Sequence, residues 1–416
     1  YPANTVLVDN DPPDGYYFFA PHDDWGWFPD TEPFLTITDK YGTPVYYRKL
    51  ENSGFELKLL PNGYLSFYSF HPFWYHMIMD SSFRIIDQYK MENGYPYTDF
   101  HDFLLLESGH SFVMTFDPQL VDMSQVVPGG HPEAIVTGFV MQELDVSRNV
   151  VFQWRSWDHY EITETGPEID LTAESIDYVH GNTIELESDT SILISSRNMH
   201  EVTRIHRNTG EIIWRMGGSQ NQFEFFGEDT LRFNRQHDSR RLASGNITVF
   251  DNGTKRPEPQ FSSVPEFEID EENFTATLVS RFRSDPDYFG QVMGNAFLTP
   301  EATTVIGWGS GIPGITEINQ QGDVLYELHF EGLNYRAYRF PWETNYFKTN
   351  TDTLDFGFIW SGSQKTDTIE IRNMQEEEIL ITGHHLHSDI FSVENEYPVL
   401  IPAGDTGFLL VTFNPE

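Results

Sequence analysis

The sequence contains no cysteine. Disulfides, thiol nucleophiles and zinc sites built on cysteine are therefore excluded. Basic residues are also scarce, with 25 Lys and Arg against 64 Asp and Glu and a formal net charge of −39. A chain with this charge repels nucleic acid and anionic membrane surfaces, so we expect neither as a partner.

The sequence also lacks any apolar run that approaches the length of a membrane span, so we predict no such span. It starts at Tyr1, with neither a methionine nor a signal-peptide pattern. These features predict the mature form of an exported protein, which is secreted, displayed on the cell surface or periplasmic.

Helical patterns are rare, because apolar residues seldom recur at helical spacing. Short runs of β-branched and aromatic residues are frequent instead, and Gly, Asn, Asp and Pro separate them. Examples are "GYLSFYSF" (63–70) and "SILISSR" (191–197). The pattern predicts an all-β protein.

A turn followed by a strand with an aromatic residue recurs four times at uneven intervals. The copies are "DKYGTPVYYR" (39–48), "DVSRNVVFQWR" (145–155), "RNTGEIIWRMGG" (207–218) and "NQQGDVLYELHF" (319–330). Repeated strand–turn–strand units at this scale favour a β-propeller over a sandwich.

The composition changes after Trp342, where a polar, turn-rich stretch begins. We predict a propeller over residues 1–342, a linker over 343–350 and a small β-sandwich over 351–416. The chain ends at Glu416, where we expect the sandwich to need one more strand, so we expect the native chain to continue.

Several motifs occur together and in order, among them "FHDF" (100–103), "DYVHGNTIE" (177–185), "ISSRN" (194–198), "QHDSRR" (236–241) and "VFDNG" (249–253). On the basis of these motifs, the chain resembles the arylsulfotransferase family over most of residues 1–342. The resemblance implies a six-bladed β-propeller with its active site at the central channel. The C-terminal segment resembles the immunoglobulin-like modules of the abnormal-spindle and hydin type, which implies that it binds a partner protein.

The same resemblance implies the roles of five residues. His237 matches the histidine that becomes transiently sulfurylated, and Arg197 matches an arginine clamp. His180 and Asn182 match a histidine and an asparagine that contact the sulfuryl group. His101 matches a further histidine of the site. The implied reaction is sulfuryl transfer from a small aromatic sulfate donor to a phenolic acceptor, without a nucleotide sulfate donor.

Elementary chemistry agrees with these roles. A sulfuryl group in transfer carries negative charge on three oxygens, which an arginine fork can bind, by analogy with phosphoryl transfer. A neutral imidazole is a competent nucleophile and needs no cofactor or metal, and its use predicts ping-pong kinetics. A second histidine would supply and remove the phenol proton. The sequence leaves open whether His180 or His101 has that role.

Each residue also has a plainer interpretation. The chain has 15 histidines, so three in similar motifs could arise by accident. Arg197 could pair with a carboxylate, Asn182 could lie in a turn, and the Asn-Gly of "VFDNG" predicts a hairpin turn. At the level of the whole protein, one alternative is an exported, non-catalytic propeller that serves in binding, adhesion or secretion assembly. Another is a metal-dependent hydrolase or lyase with His101, His180 and His237 as ligands.

Overall fold

The computed structural model describes residues 3–23, 26, 31–70, 74–227, 232–342, 347–351, 353–384, 386 and 388–415. These residues form thirty-three β-strands and four 3₁₀ helices of three residues each. The predicted all-β class is confirmed. Within the described ranges, no helix combines the length and the apolar character that crossing a membrane requires.

The strands, in chain order, are β1 (Asn4–Asp9), β2 (Tyr16–Phe19), β3 (Phe34–Thr38), β4 (Pro44–Lys49), β5 (Gly54–Leu59), β6 (Leu65–Ser69), β7 (Tyr75–Met79), β8 (Ile85–Tyr89), β9 (Leu104–Leu105), β10 (Ser111–Val121), β11 (Ala134–Leu144), β12 (Val150–Arg155), β13 (Ser175–Asp177), β14 (Gly181–Ser188), β15 (Ser191–Ser196), β16 (Glu201–His206), β17 (Ile212–Gly217), β18 (Glu224–Phe226), β19 (His237–Arg241), β20 (Ile247–Phe250), β21 (Val264–Asp270), β22 (Thr275–Phe282), β23 (Asn295–Leu298), β24 (Thr304–Gly307), β25 (Gly314–Ile318), β26 (Val324–Phe330), β27 (Tyr338–Phe340), β28 (Phe347–Thr349), β29 (Lys365–Asn373), β30 (Ile379–Ile381), β31 (Phe391–Val393), β32 (Val399–Ile401) and β33 (Thr406–Phe413). The 3₁₀ helices are Met123–Gln125, Ser156–Asp158, Ile162–Glu164 and Arg197–Met199.

The chain divides into two compact units. The first comprises Tyr1–Ile78 and Ile86–Pro341, and the second comprises Met79–Ile85 and Trp342–Glu416. The finer division at residues 342 and 350 stays a prediction, and residues 343–346 of the predicted linker lie outside the described part of the chain.

In their described residues, the strands of the first unit form six sheets that follow one another along the chain. Their strand orders are β27-β2-β3-β4, β5-β6-β7-β8, β12-β11-β10-β9, β14-β15-β16-β17, β18-β22-β21-β20-β19 and β1-β26-β25-β24-β23. Pairing is antiparallel except where β13 joins β11 and β18 joins β22. Two sheets combine strands from both ends of the unit, because β1 pairs with β26 and β2 pairs with β27.

The four repeated segments of the sequence form equivalent hairpins. Their strands are β4, β12, β17 and β26, and each pairs antiparallel with the strand before it. Every one of the four pairs carries a register shift beside the turn. In three copies the first turn residue, Asp39, Asp145 or Asn319, accepts hydrogen bonds from the backbone N–H groups two and four residues later. The side-chain oxygen thus fixes the turn, and the repeat is confirmed as a structural unit.

Large aromatic residues fill the interior of the first unit. Trp154, Trp214 and Trp308 are each almost completely buried, in three different hydrophobic clusters. Trp154 also donates its indole N–H to the carbonyl oxygen of Gly210, 3.0 Å away. Burial of such rings supplies most of the favourable free energy of a core, and the hydrogen bond prevents the cost of an unpaired polar atom.

The second unit contains a four-stranded sheet, β28-β29-β33-β31, and a two-stranded sheet, β30-β32. Ile371, Ile379 and Ile401 form its small core. Asn373 is buried beside them and donates to the carbonyl oxygens of Ile401 and Pro402, both 3.0 Å away. The immunoglobulin-like assignment of this unit stays a prediction.

Candidate active site

The three predicted histidines occupy similar positions in three consecutive sheets. His101 lies three residues before β9, His180 directly precedes β14, and His237 is the first residue of β19. The ring centroids of His101 and His180 are 4.9 Å apart. The ring of Tyr335 lies 5.4 Å from that of His101 and 6.4 Å from that of His237. The structure therefore brings the three histidines together around one buried tyrosine.

The imidazole of His237 is held in one tautomer. Its Nδ1 lies 2.7 Å from the Oδ1 of Asn252. The amide nitrogen of Asn252 donates to the carbonyl oxygens of Gly290 and Met293, both 2.8 Å away. Because the amide nitrogen faces two acceptors, Oδ1 must face His237 and accept its proton. Nδ1 of His237 therefore carries the hydrogen, and Nε2 has a free lone pair.

His237 is neutral at ordinary pH. Burial lowers its pKa well below the usual 6.5, Arg197 lowers it further, and the hydrogen bond to Asn252 opposes the shift only in part. The side chain is 2% exposed. A buried, neutral imidazole with a free Nε2 is suited to nucleophilic attack.

The backbone beside His237 is irregular. The pairing of β19 with β20 shifts register between His237 and Arg240, and Asp238 has a left-handed φ of 51°. Gln236 donates from its amide nitrogen to Ser195 Oγ and to the carbonyl oxygen of Glu201. Bulges of this kind re-aim side chains next to active sites. Here the bulge and the Gln236 bonds fix the direction of the imidazole.

The other two histidines have carboxylates as partners. His101 Nδ1 lies 2.5 Å from Asp99 Oδ1, and His180 Nδ1 lies 2.5 Å from Asp177 Oδ2. Burial lowers the pKa of His180, and Asp177 opposes this shift. His180 also has a left-handed φ of 53°, a strained conformation for a residue with a side chain. A carboxylate stabilises an imidazolium, and His180 has one as its partner where His237 has only a neutral amide.

Arg197 is half-buried at the start of a 3₁₀ helix, directly after β15. Its Nη1 donates to Asn198 Oδ1, 3.1 Å away, and among the described residues no carboxylate lies within salt-bridge distance of it. The interpretation that pairs Arg197 with a carboxylate is therefore wrong for this part of the chain. Burial and the neighbouring Arg235 lower its pKa to about 10.

Asn182 is fully buried, and its side chain bonds to the scaffold. Its amide nitrogen donates to the carbonyl oxygen of Gln236, 2.8 Å away. The backbone carbonyl oxygen of Asn182 accepts from the Tyr335 hydroxyl at 3.2 Å. The register of β14 against β15 shifts between Gly181 and Thr183, so Asn182 is the bulged residue. Asn182 ties the segment of His180 to the residue before His237.

The aspartates that follow two of the histidines face away from the imidazoles. Asp102 accepts from the backbone N–H of Ile184 and pairs with Arg336 and Arg240. Asp238 accepts from the backbone N–H of Ala296 and also pairs with Arg240. Burial alone would raise the pKa of Asp102, but Arg336, Arg240 and Lys58 hold it well below its ordinary value. These aspartates therefore stabilise the backbone behind the histidines, as the alternation of side chains predicts.

Arg336 is the centre of this charged cluster and has no exposed surface. It pairs with Glu56 on β5, with Asp102 and with Asp238, and it donates to the carbonyl oxygen of Asn182. The adjacent Ala337 exchanges two hydrogen bonds of 2.8 Å with the side chain of Asn295. Residues from six consecutive sheets thus meet at Arg336 and its neighbour.

The grouping of the side chains also bears on the alternative of a metal-dependent enzyme. In the described part of the chain, no three His, Asp or Glu side chains are grouped as a metal ion would require. The Nδ1 atoms of His101, His180 and His237 each bond to a different protein oxygen.

Sequence reasoning missed four side chains that the structure places in or beside the candidate site. Asp99 and Asp177 lie two and three residues before their histidines, a spacing that could have been recognised in "TDFH" and "DYVH". Asn252 and Arg235 gave no such signal. The hairpin turn predicted at Asn252 is wrong, because the strand pairing ends in an isolated bridge at Asp251 and the next strand, β21, begins only at Val264.

Comparison with known proteins identifies a family that the chain matches. The sequence profile of the arylsulfotransferase family (ASST) matches residues 71–331. No curated protein sequence matches the chain. Among solved structures, a protein of unknown function from Bacteroides caccae is similar, with 12% identity, a TM-score of 0.50, and coverage of 79% of this chain and 100% of that chain. This likeness concerns the fold alone.

Two further structures are more distant. A β-propeller domain from Myceliophteria thermophila has 11% identity, a TM-score of 0.37, and coverage of 82% of this chain and 91% of that chain. Virginiamycin B lyase from Staphylococcus aureus has 9% identity, a TM-score of 0.38, and coverage of 99% of both chains. Similarity at this level supports no argument about function.

Proposed function

We propose, from the premise that this chain belongs to the arylsulfotransferase family, that it transfers a sulfuryl group from an aryl sulfate ester to a phenolic acceptor. His237 is the nucleophile. The observation that carries this proposal is the hydrogen bond of 2.7 Å from His237 Nδ1 to an asparagine that can only accept there. It leaves Nε2 unprotonated in a buried ring that stays neutral.

The reaction has two half-reactions. In the first, Nε2 of His237 attacks the sulfur, the N–S bond forms, and the S–O bond to the aryl group breaks. In the second, a phenol oxygen attacks the same sulfur, the N–S bond breaks, and His237 regains its lone pair. The Nδ1–H bond to Asn252 persists throughout and offsets the charge of the sulfurylated ring.

The departing phenolate needs a proton, and the incoming phenol must lose one. His101 and His180 are the candidates, because the Nδ1 of each lies 2.5 Å from a carboxylate oxygen that orients the ring. Arg197, which has no carboxylate within salt-bridge distance among the described residues, binds the sulfuryl oxygens. Donor and acceptor are small aromatic molecules in this proposal.

The proposal extends to the fold. The six sheets form the blades of a closed propeller, and the site lies at its axis. Three observations support this: the sheets follow one another along the chain, two of them join both ends of the unit, and all six meet at Arg336 and Ala337. Export of the protein and a partner for its C-terminal unit stay predictions of the sequence.

The first test is turnover of 4-nitrophenyl sulfate with a simple phenol as acceptor. Wild type should release nitrophenolate faster as acceptor is added, and His237→Ala should release none. His131→Ala is the matched control, because His131 is a partly exposed histidine with its nearest carboxylate, that of Glu174, 3.8 Å away. Without acceptor, intact mass at neutral pH should show one sulfuryl group on wild type and none on His237→Ala.

No release from folded wild type across several aryl sulfates would overturn the proposal. It would favour the alternative of an exported propeller that binds without turnover. Equal loss in His131→Ala and His237→Ala would show that the assay reports folding and not chemistry.

A further inference from the structure

A second guanidinium lies beside Arg197. Arg235 precedes Gln236 and the nucleophile His237 in the sequence, and its side chain is 11% exposed. Arg197 Nη1 and Arg235 Nη1 both donate to the same atom, Asn198 Oδ1. Two cations therefore converge on one neutral acceptor at the edge of the histidine cluster.

The orientation of Asn198 is fixed from the other side. Its amide nitrogen donates to the carbonyl oxygen of Asp177, 2.7 Å away. A flipped amide would direct its N–H groups at two guanidiniums and leave that carbonyl without a donor. Asp177 also holds His180 through its carboxylate. Asn198 thus couples the position of both arginines to the segment that carries an acid–base histidine.

The two arginines are poorly compensated by carboxylates. Within the described residues Arg197 forms no salt bridge, and Arg235 forms one, with Glu168, 3.4 Å from its Nε. At longer range, Asp177 and Glu168 attract both guanidiniums. Glu168 is shared with His200, whose Nε2 is 2.9 Å away. By contrast, Arg204 has two carboxylates, those of Glu187 and Glu271, each at 2.6 Å.

This arrangement is unusual for a chain with 64 acidic and only 25 basic residues. Two neighbouring guanidiniums repel each other, and the repulsion is strongest where burial weakens screening. The lowered pKa of Arg197, which burial and Arg235 both cause, reflects that cost. A bound anion between the two groups would remove it.

We propose that Arg235 is a second substrate-binding residue, which together with Arg197 forms a two-arginine site for a tetrahedral oxyanion. The inference rests on the proposed function for its substrate, the sulfuryl group of an aryl sulfate. A tetrahedral group offers several oxygens to donors that approach from two sides, whereas a carboxylate offers two in one plane. Inorganic sulfate should therefore bind at the same place.

The loop should tolerate a change of this side chain. The backbone N–H of Arg235 donates to His200 Nδ1, 3.0 Å away, and this bond does not depend on the guanidinium. Arg235→Ala removes the charge, and Arg235→Lys keeps the charge but loses the planar set of guanidinium N–H donors. Arg283→Ala is the matched control, because Arg283 is an exposed arginine that pairs with Asp287.

The experiment is calorimetric titration of the full chain with sodium sulfate at constant ionic strength, with sodium chloride as the blank. We expect Arg235→Ala to weaken sulfate binding about 10- to 100-fold, the usual effect of losing charge-assisted hydrogen bonds. Arg235→Lys should recover part of that loss, and Arg283→Ala should bind like wild type. Melting temperatures show whether each variant is folded.

Sulfate affinity of folded Arg235→Ala equal to that of wild type would overturn the inference. Turnover separates this failure from that of the proposed function. If turnover depends on His237 but Arg235→Ala leaves the KM for the donor unchanged, only the role of Arg235 is refuted. Sulfate binding that depends on Arg235, without turnover of any aryl sulfate, would keep the anion site and refute sulfuryl transfer.

Discussion

Replacement of Asn252 by alanine tests the assignment of the nucleophile most directly. Asn252 is fully buried, and its Oδ1 is the acceptor for His237 Nδ1–H at 2.7 Å. Without it, the active tautomer has a buried N–H with no partner. The competing tautomer carries its hydrogen on Nε2 and has no lone pair there, so it cannot attack sulfur.

The size of the effect follows from this loss. An unsatisfied buried donor costs about 1–3 kcal/mol, and about 1.4 kcal/mol changes a population tenfold. The active tautomer of His237, and with it the rate of sulfurylation, should therefore fall about 10- to 100-fold in Asn252→Ala. The loss should be the same at every pH in the range where the protein is folded. Removal of Asn252 lowers the pKa of His237 further, so the ring is neutral in both proteins.

The assay is the single-turnover release of nitrophenolate from 4-nitrophenyl sulfate. Asn295→Ala is a matched control, since Asn295 is an equally buried asparagine whose two hydrogen bonds of 2.8 Å go to Ala337 and not to a histidine. Both variants should lose stability, but only Asn252→Ala should lose the chemical step to this extent. A wild-type rate in folded Asn252→Ala would refute the tautomer argument.

Three further predictions concern charged groups. Asp99 and Asp177 are the partners of the two candidate acid–base histidines, and we compare Asp99→Asn with Asp177→Asn. The variant that removes the partner of the acid–base histidine should slow turnover of donors with poorly acidic phenols far more than turnover of 4-nitrophenyl sulfate. Equal effects across a series of donors would contradict that role. Arg336→Leu should lower the free energy of unfolding in urea by about 3–5 kcal/mol, because it removes the most buried cation from three carboxylates that keep only Lys58 or Arg240, and a loss below 1 kcal/mol would contradict the importance of this cluster. Burial lowers the pKa of His76 from 6.5 to about 3, so the unfolded chain binds the extra proton at a higher pH than the folded chain does. The free energy of unfolding should therefore fall as pH decreases from 6.5 toward 3, by up to about 1.4 kcal/mol per pH unit. His76→Gln should remove this part of the slope in urea titrations at several pH values, and an unchanged slope would disprove the shift.

Much of the fold could be predicted from the sequence because its signals are local. The side chains of the turn residues Asp39, Asp145 and Asn319 accept hydrogen bonds from backbone N–H groups within four residues. The repeated hairpins could therefore be recognised from the sequence pattern. The pairing of the two ends of the first unit could not be predicted in the same way. β1 pairs with β26 and β2 with β27, across more than three hundred residues of chain.

The residues of the candidate site show the same difference between local and distant signals. The three histidines and Arg197 lie in short motifs and could be named from them. Asn252 is fifteen residues from His237 and reaches it only through a bulged strand pair. Local propensity gave the wrong structure for Asn252 because the buried hydrogen bonds of its side chain outweigh the preference of Asn-Gly for a hairpin turn. The left-handed φ of 65° at Gly253 is the one part of that expectation that the structure confirms.

The partner of each histidine, more than the histidine itself, decides its chemistry. An amide oxygen accepts one hydrogen and carries no charge, so it favours a neutral ring with a free Nε2, as in His237. A carboxylate stabilises an added proton, so Asp177 favours a His180 ring that can act as an acid. Exchange of these partners should exchange the roles. In the proposed reaction, a carboxylate at position 252 would raise the pKa of His237 and favour protonation of Nε2, the atom that is proposed to attack.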